Sequence, residues 1–79
     1  MKVLFFAQAA RLAGCSETDM QVEEPVAAEE FWTRLVAAYP ALGPLRPQLR
    51  LARDSEFIPW TDQIANHHEI ALIPPVSGG

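Results

Sequence analysis

The sequence lacks the residues that small domains use for covalent or metal-based stabilisation. Cys15 is the only cysteine among the 79 residues, which excludes an internal disulfide and a zinc site built on several thiolates. An apolar run such as Val3 to Ala7 is far shorter than the roughly 20 residues of a membrane-spanning helix. Lys2 is the only early basic residue and no small-residue cleavage site follows it, so no signal peptide is indicated. We expect a soluble, cytoplasmic, single-domain protein.

Positive charge is also scarce. Six Lys and Arg residues against ten Asp and Glu give a formal net charge of −4, which disfavours nucleic acid and anionic membranes as partners. Glu17 to Glu30 holds six acids and no base, whereas Arg46, Arg50 and Arg53 are half of the bases. We interpret both groups as solvated faces, with docking to a partner of complementary charge as the alternative.

Catalytic motifs are missing as well. The sequence has no Gly-rich phosphate loop, no GxSxG and no histidine pair at helical i, i+4 spacing. His67 and His68 precede Glu69, but adjacent residues entering a strand point to opposite faces, so a shared metal is not expected. Only Arg11 lies near enough in sequence to activate Cys15, which we interpret as an inert thiol. The sequence therefore predicts neither a metal site nor catalytic machinery.

Alternation and turn residues predict an α+β domain with a small mixed sheet and one main helix on one face. An apolar stripe through Phe31 and Leu35 predicts that helix from Pro25 to Tyr39, and the proline-rich stretch Pro40 to Pro47 is predicted to be a loop. A short helical turn is expected at Ala9 to Ala13. The predicted strands are Lys2 to Gln8, Thr18 to Glu23, Leu49 to Ala52, Glu56 to Ile58 and Glu69 to Ile73, of which the first two form a hairpin.

The first and last predicted strands are apolar on both faces. We assign to the helix-covered face the side chains Val3, Phe5, Ile70 and Leu72. Alternation then leaves Leu4, Phe6, Ala71 and Ile73 on the other face, joined by Phe57. An uncovered apolar patch of this kind marks an interaction site, so the predicted partner interface is Leu4, Phe6, Phe57 and Ile73, with Arg11 or Arg53 on its rim. The alternative is that the strand parity is reversed.

The C-terminal segment Pro74 to Gly79 (PPVSGG) predicts an extended arm. Pro74 and Pro75 favour a stiff polyproline path, and Gly78 and Gly79 lack the Cβ that would obstruct a narrow channel. Six extended residues reach about 20 Å. By spacing alone, a frayed tail is equally compatible with this composition.

The segments KVLFFAQ at residues 2–8 and IPPVSGG at residues 73–79, with a single central helix between them, closely resemble the small subunits of molybdopterin synthase. That family consists of ubiquitin-like (β-grasp) sulfur carriers, so the resemblance implies a β-grasp domain over residues 1–73 and a tail over residues 74–79. It also implies that Gly79 is adenylated with ATP and then converted to a thiocarboxylate, while Gly78 gives access and Pro74 and Pro75 aim the tail. The sulfur then passes to cyclic pyranopterin monophosphate in the large synthase subunit.

The implied partners are that large subunit, in a heterotetramer of two small and two large subunits, a ubiquitin-activator-like adenylating enzyme and a sulfur donor protein. The carrier itself would bind no cofactor and would be a non-catalytic subunit. One departure is Asn66-His67-His68, where the family usually has a Gly-Asp type turn; Asn66 tolerates the left-handed conformation of such a turn.

Four other functions compete with this one. A thiamine-pathway sulfur carrier shares the terminal Gly-Gly but generally lacks the KVLFFAQ start and the Pro-Pro pair. A carrier for tRNA thiolation or a ubiquitin-like modifier of protein lysines also fits the tail, although Lys2 is the only lysine available for chain formation. A plain interaction module with an inert tail is the last alternative.

Overall fold

A computed structural model describes residues 1–23 and 25–75, which form a five-stranded sheet, a two-stranded sheet and three helical segments. The strands are β1 (Lys2–Phe5), β2 (Glu17–Asp19), β3 (Val26–Ala27), β4 (Arg50–Arg53), β5 (Glu56–Ile58), β6 (Gln63–Ile64) and β7 (Glu69–Ile73). The helical segments are α1 (Gln8–Ala13), α2 (Ala28–Ala38) and a 3₁₀ segment (Pro40–Gln48). The predicted α+β class is confirmed.

The first and last strands of the chain lie side by side at the centre of the five-stranded sheet. Its strand order is β2-β1-β7-β4-β5, with β1 and β7 parallel and every other pair antiparallel. The hairpin predicted for the first two strands is present, because β1 pairs with β2. β5 is an edge strand, and Pro59 directly follows its end, as expected for a residue that cannot donate a ladder hydrogen bond.

Helix α2 covers one face of this sheet, and the strand parity is the predicted one. The sheet side chains beneath the helix, all 3% exposed or less, are Val3, Phe5, Ile70, Leu72 and Leu51. From α2, Phe31 and Leu35 are fully buried in the same cluster. No helix in residues 1–23 and 25–75 is long and apolar enough to span a membrane.

The start of α2 differs from the prediction. The helix begins at Ala28 rather than Pro25, because Val26 and Ala27 form β3 and pair with β6. Val26 lies opposite Ile64, and both are buried. This second sheet was not predicted, since two-residue strands carry no measurable alternation.

The segment predicted as a loop is instead a 3₁₀ helix. Proline fixes φ near −65°, which suits this helix. Leu42 and Leu45 are buried from it. Arg46 fastens the segment to α2, because its Nη2 donates to both carboxylate oxygens of Glu29 at 2.9 Å.

The turn between β4 and β5 lies in the gap between the two predicted strands and uses two left-handed residues. The φ angles of Asp54 and Ser55 are 50° and 72°, and Arg53 pairs with Glu56, so the loop has the two residues of a tight hairpin. Asp tolerates this conformation, and its Oδ1 accepts the Glu69 N–H at 2.8 Å. At the second position glycine is the preferred residue.

We predict that Ser55→Gly raises the free energy of unfolding by about 0.5–1 kcal/mol, because relief of the left-handed strain exceeds the greater chain entropy of glycine in the unfolded state. Urea unfolding of the two proteins measures the difference. The matched control is Ser16→Gly, because Ser16 is also exposed but its φ is not positive. Equal effects of the two substitutions would contradict the strain argument.

Candidate protein-docking face and tail exit

The root of the C-terminal segment lies beside α1, where the two central strands of the sheet end. Since β1 and β7 run parallel, their carboxyl ends lie side by side, and there the Phe6 N–H donates to the Leu72 carbonyl at 3.3 Å. Pro74, which follows β7, is buried, whereas Pro75 is exposed. The predicted reacting residue Gly79 and the predicted access residue Gly78 lie outside the described residues.

A groove of about 400 Å³ opens at this root, and we call it the tail groove. Its lining residues are Phe6, Ala7, Gln8, Arg11, Ile73, Pro74 and Pro75. The chain enters α1 through a tight turn in which the Ala9 N–H donates to the Phe6 carbonyl at 3.0 Å, and Ala7 has a φ of 50°. This turn leads into α1, whose exposed Arg11 lines the groove together with the two prolines.

The four residues predicted as a partner interface lie together on the sheet face that α2 leaves uncovered, which we call the open face. Leu4, Phe6, Phe57 and Ile73 line one groove of about 210 Å³ there, together with Ala52, Ala71, Ser55 and Glu69. Phe6 is 47% and Phe57 is 53% exposed, whereas Leu4 and Ile73 are half-buried. Their role in binding a partner remains a prediction.

Strand register explains why these side chains meet. Leu4 lies opposite Ala71, Ala71 opposite Ala52, and Ala52 opposite Phe57 across four strands. The two central alanines leave a shallow floor between the larger Leu4 and Phe57. Sequence analysis missed Ala52 as part of this floor, although alternation within β4 placed Leu51 on the buried face and hence Ala52 on the other.

The arginine at the rim beside Phe57 is Arg50, not Arg53. The Arg50 guanidinium carbon lies 3.7 Å from the centre of the Phe57 ring, a cation–π contact. Arg53 points away: it donates to the Gln63 carbonyl and pairs with Asp62 at 3.2 Å. The prediction of Arg53 on the rim is therefore wrong, and that of Arg11 agrees with its position in the tail groove.

Charge is unevenly distributed over the open face. At the end away from the tail, Lys2 lies between Asp19 and Glu69 in the strand register. Glu17 lies nearer the middle of the face, opposite Leu4. At the tail end the charged side chains are cationic. Among the described residues no carboxylate oxygen lies within 4.0 Å of a nitrogen of Arg11 or Arg50, since the ion pairs belong to other arginines.

The histidine pair does not behave as the sequence suggested. The two rings do not point to opposite faces, since their centres are 4.1 Å apart, and the His68 Nδ1 accepts the Ala65 N–H at 2.9 Å. In the described part of the chain, no three His, Cys, Asp or Glu side chains are placed to hold a metal ion. Asn66 does not use a left-handed φ; its side chain instead binds both the N–H and the carbonyl of Val22, at 2.9 Å and 2.8 Å.

Cys15 is half-buried beside Tyr39. Its Sγ lies 4.0 Å from the Tyr39 hydroxyl, which itself donates to the Thr18 Oγ1 at 3.1 Å. Tyr39 also packs edge-on against Phe5, with ring centres 5.4 Å apart. The cysteine therefore lies in a small packing cluster on the covered side of the sheet, away from the tail groove.

Comparison with known proteins adds the family. Residues 3–79 match the model of the ThiS family. The chain belongs to that family. The molybdopterin synthase sulfur carrier subunit of Caenorhabditis elegans is 37% identical over 81 residues, covering 100% of this chain and 96% of that protein. The human molybdopterin synthase sulfur carrier subunit is 32% identical over 82 residues, covering 100% of this chain and 93% of that protein.

Solved structures give the same fold. Two crystal structures of small archaeal modifier protein 1 (SAMP1) from Haloferax volcanii superpose on this ThiS-family chain with TM-scores of 0.87 and 0.84, at 28% and 26% identity. The first covers 99% of this chain and 97% of that chain, the second 95% of each. The ubiquitin-like β-grasp fold and the resemblance to molybdopterin synthase small subunits, both predicted from the sequence, are confirmed.

Adjacent phenylalanines on β1 and just after it provide a test of which face is the core. We predict that Phe5→Ala lowers the free energy of unfolding by about 3–5 kcal/mol, because Phe5 is 3% exposed and truncation leaves a cavity. Phe6→Ala should change it by about 0.5 kcal/mol or less, as for an exposed position. Calorimetric melting measures both. If Phe5→Ala fails to fold, Phe5→Leu replaces it, and a larger loss at Phe6 than at Phe5 would contradict the burial pattern.

Proposed function

We propose that this chain is the sulfur carrier of molybdopterin synthase and that its sulfur is held as a thiocarboxylate on Gly79. The observation that carries the proposal is the similarity, over the whole chain, to molybdopterin synthase sulfur carrier subunits at 37% and 32% identity. The IPPVSGG ending supplies the reacting group. The proposed setting is the cytoplasm.

The proposed chemistry needs activation of a carboxylate, which is a poor electrophile. A ubiquitin-activator-like enzyme joins the Gly79 carboxylate to the α-phosphate of ATP and releases pyrophosphate. A sulfur donor protein then delivers a sulfide equivalent, whose sulfur attacks the acyl carbon and forms the C–S bond as the C–O bond breaks and AMP leaves. Dividing one difficult substitution into two easier steps is the general advantage of an activated acyl intermediate.

The carrier's own contribution is to present the tail. Pro74 is buried against the body, so the part of the tail free to enter a channel is counted from Pro75. Fully extended, the residues from Pro75 to Gly79 span at most about 17 Å. The proposed reacting carbon therefore lies within about that distance of the tail groove when the tail is inserted into a partner.

The open face supplies the proposed docking surface for the large synthase subunit and for the adenylating enzyme, one at a time. Phe6 and Phe57 are the most exposed large apolar side chains of that face, and aromatic side chains of this kind are frequent anchors at interfaces. The proposed synthase is a heterotetramer of two small and two large subunits.

Protein modification is the second candidate function, favoured by the structural likeness to small archaeal modifier protein 1. Both functions use the same activated carboxylate and differ in the acceptor. Lys2 lies on the open face between Asp19 and Glu69, so a modifier attached there would obstruct the proposed docking surface. Formation of chains through this lysine is therefore disfavoured. The ThiS-family match also keeps a thiamine-pathway carrier among the alternatives.

We predict that adding one alanine after Gly79 abolishes thiocarboxylate formation, because the reacting carboxylate would no longer be at the glycine that fits the channel. The measurement is intact mass after incubation with the adenylating enzyme, ATP and a sulfur donor, where replacement of oxygen by sulfur adds about 16 Da to the wild type.

A second variant tests access rather than chemistry. Gly78→Val keeps the terminal glycine but adds a branched side chain beside it, so sulfur loading should fall sharply while the melting temperature stays at the wild-type value. A fully loaded alanine-extended variant, or a normally loaded Gly78→Val, would refute the proposed role of the tail.

We predict that Phe6→Ala weakens binding to the large synthase subunit by about 1–4 kcal/mol, the range for interface anchors. Isothermal titration of the two proteins measures the change. Trp32→Ala is the matched control, because Trp32 is a half-buried aromatic residue on α2, on the other side of the sheet. Loss of affinity in Trp32→Ala but not in Phe6→Ala would show that the partner binds the helix-covered side and not the open face.

A further inference from the structure

The tail root lies between two arginines, one on each side of β7. Arg11 is on α1, directly after the end of β1, and lines the tail groove. Arg50 begins β4, which runs antiparallel to β7, and lies opposite Ile73, the last residue before Pro74. Because β1 and β4 are the two neighbours of β7, the topology itself sets these cations on opposite sides of the tail.

Neither guanidinium is neutralised by the described part of the molecule. The ion pairs there involve Arg34, Arg46 and Arg53, and Arg50 instead lies over the Phe57 ring. Both side chains are exposed. Two cations without a carboxylate partner among the described residues are unusual in a chain whose net charge is −4, and the opposite end of the open face carries Asp19 and Glu69 on either side of Lys2.

We propose that Arg11 and Arg50 are paired contacts for carboxylates on the large synthase subunit, located around the mouth of the channel that receives the tail. The proposal rests on the function proposed above and adds the chemistry of the partner surface: acidic side chains next to the channel mouth. Opposite charges at an interface steer the encounter and fix its orientation. An anchored Arg50, stacked on an aromatic ring that itself lies on the docking face, is already held near the geometry in which it would bind a carboxylate.

Phosphates of a nucleotide are a less suitable ligand for this pair. The proposed acyl phosphate forms on Gly79, up to about 17 Å beyond Pro75 along an extended tail. Cations at the root are therefore distant from the reacting end when the tail is inserted. A structural role is the other alternative for Arg11, because a positive charge in the last turn of a helix interacts favourably with the helix dipole and stabilises α1.

The test compares three charge reversals in the full chain: Arg11→Glu, Arg50→Glu and, as the control, Arg34→Glu. Arg34 is exposed on α2, behind the sheet, and its loss gives the same change in net charge. Affinity for the large synthase subunit is measured by titration at about 0.1 M and about 1 M salt, where the Debye length is about 10 Å and about 3 Å. Melting temperatures monitor the fold, and Arg50→Lys tests whether charge alone suffices.

We expect each tail-side reversal to raise Kd about fivefold or more at the lower salt concentration, with the difference from wild type shrinking at the higher one. Arg34→Glu should leave Kd within about twofold, and Arg50→Lys should retain most of the affinity.

Equal effects of all three reversals, no effect of the tail-side pair, or an Arg11→Glu loss explained by a lower melting temperature would overturn the proposal. So would normal binding to the large subunit together with slower adenylation of Gly79, measured as pyrophosphate release by the adenylating enzyme, which would indicate nucleotide contacts. If the wild type itself does not bind the large subunit, the proposed function fails and this inference fails with it, whereas unchanged affinity in the variants removes only the inference.

Discussion

The parallel pairing of β1 with β7 is the constraint on which the rest of the structure depends. It brings the first and last strands together at the centre of the sheet. The buried side chains of these two strands, among them Val3 and Ile70, form the surface against which α2 packs. The same pairing sets the carboxyl ends of both strands side by side. The root of the tail is therefore beside the turn into α1, and a disruption of this pairing would affect the core and the tail exit together.

The local features of the fold were predictable because they depend on sequence neighbours. Alternation within β1 and β7 is enough to separate the buried Phe5 from the exposed Phe6, and Asp54 with Ser55 is a recognisable turn. The features that were missed depend on contacts between distant residues. Val26 forms a strand only because Ile64 lies opposite it, and the proline-rich segment is helical where buried leucines and the Arg46 to Glu29 contact hold it against α2.

The same division applies to the candidate site. Its apolar members followed from strand parity, and the rim arginine could have been found in the same way, because alternation within β4 sets Arg50 on the open face with Ala52 and Arg53 on the covered face. The contacts that hold the two arginine side chains, with Phe57 and with Asp62, involve more distant residues and could not be predicted. His67 and His68 illustrate the limit of strand parity in particular. They lie in the turn before β7 rather than in the strand, and the contact of His68 with the Ala65 N–H turns its ring towards its neighbour.

An apolar sheet face can contribute binding affinity, but it does not by itself fix the orientation of a bound partner. The row Leu4, Ala71, Ala52 and Phe57 has a large apolar side chain at each end and two alanines between them, so apolar contact alone does little to define the orientation of a partner. Two asymmetries remove the ambiguity: the tail leaves from one end, and the charge changes sign between the two ends. In the proposed complex a single orientation brings the tail to a channel, so we expect the polar residues around the face to supply specificity and the apolar centre to supply binding energy.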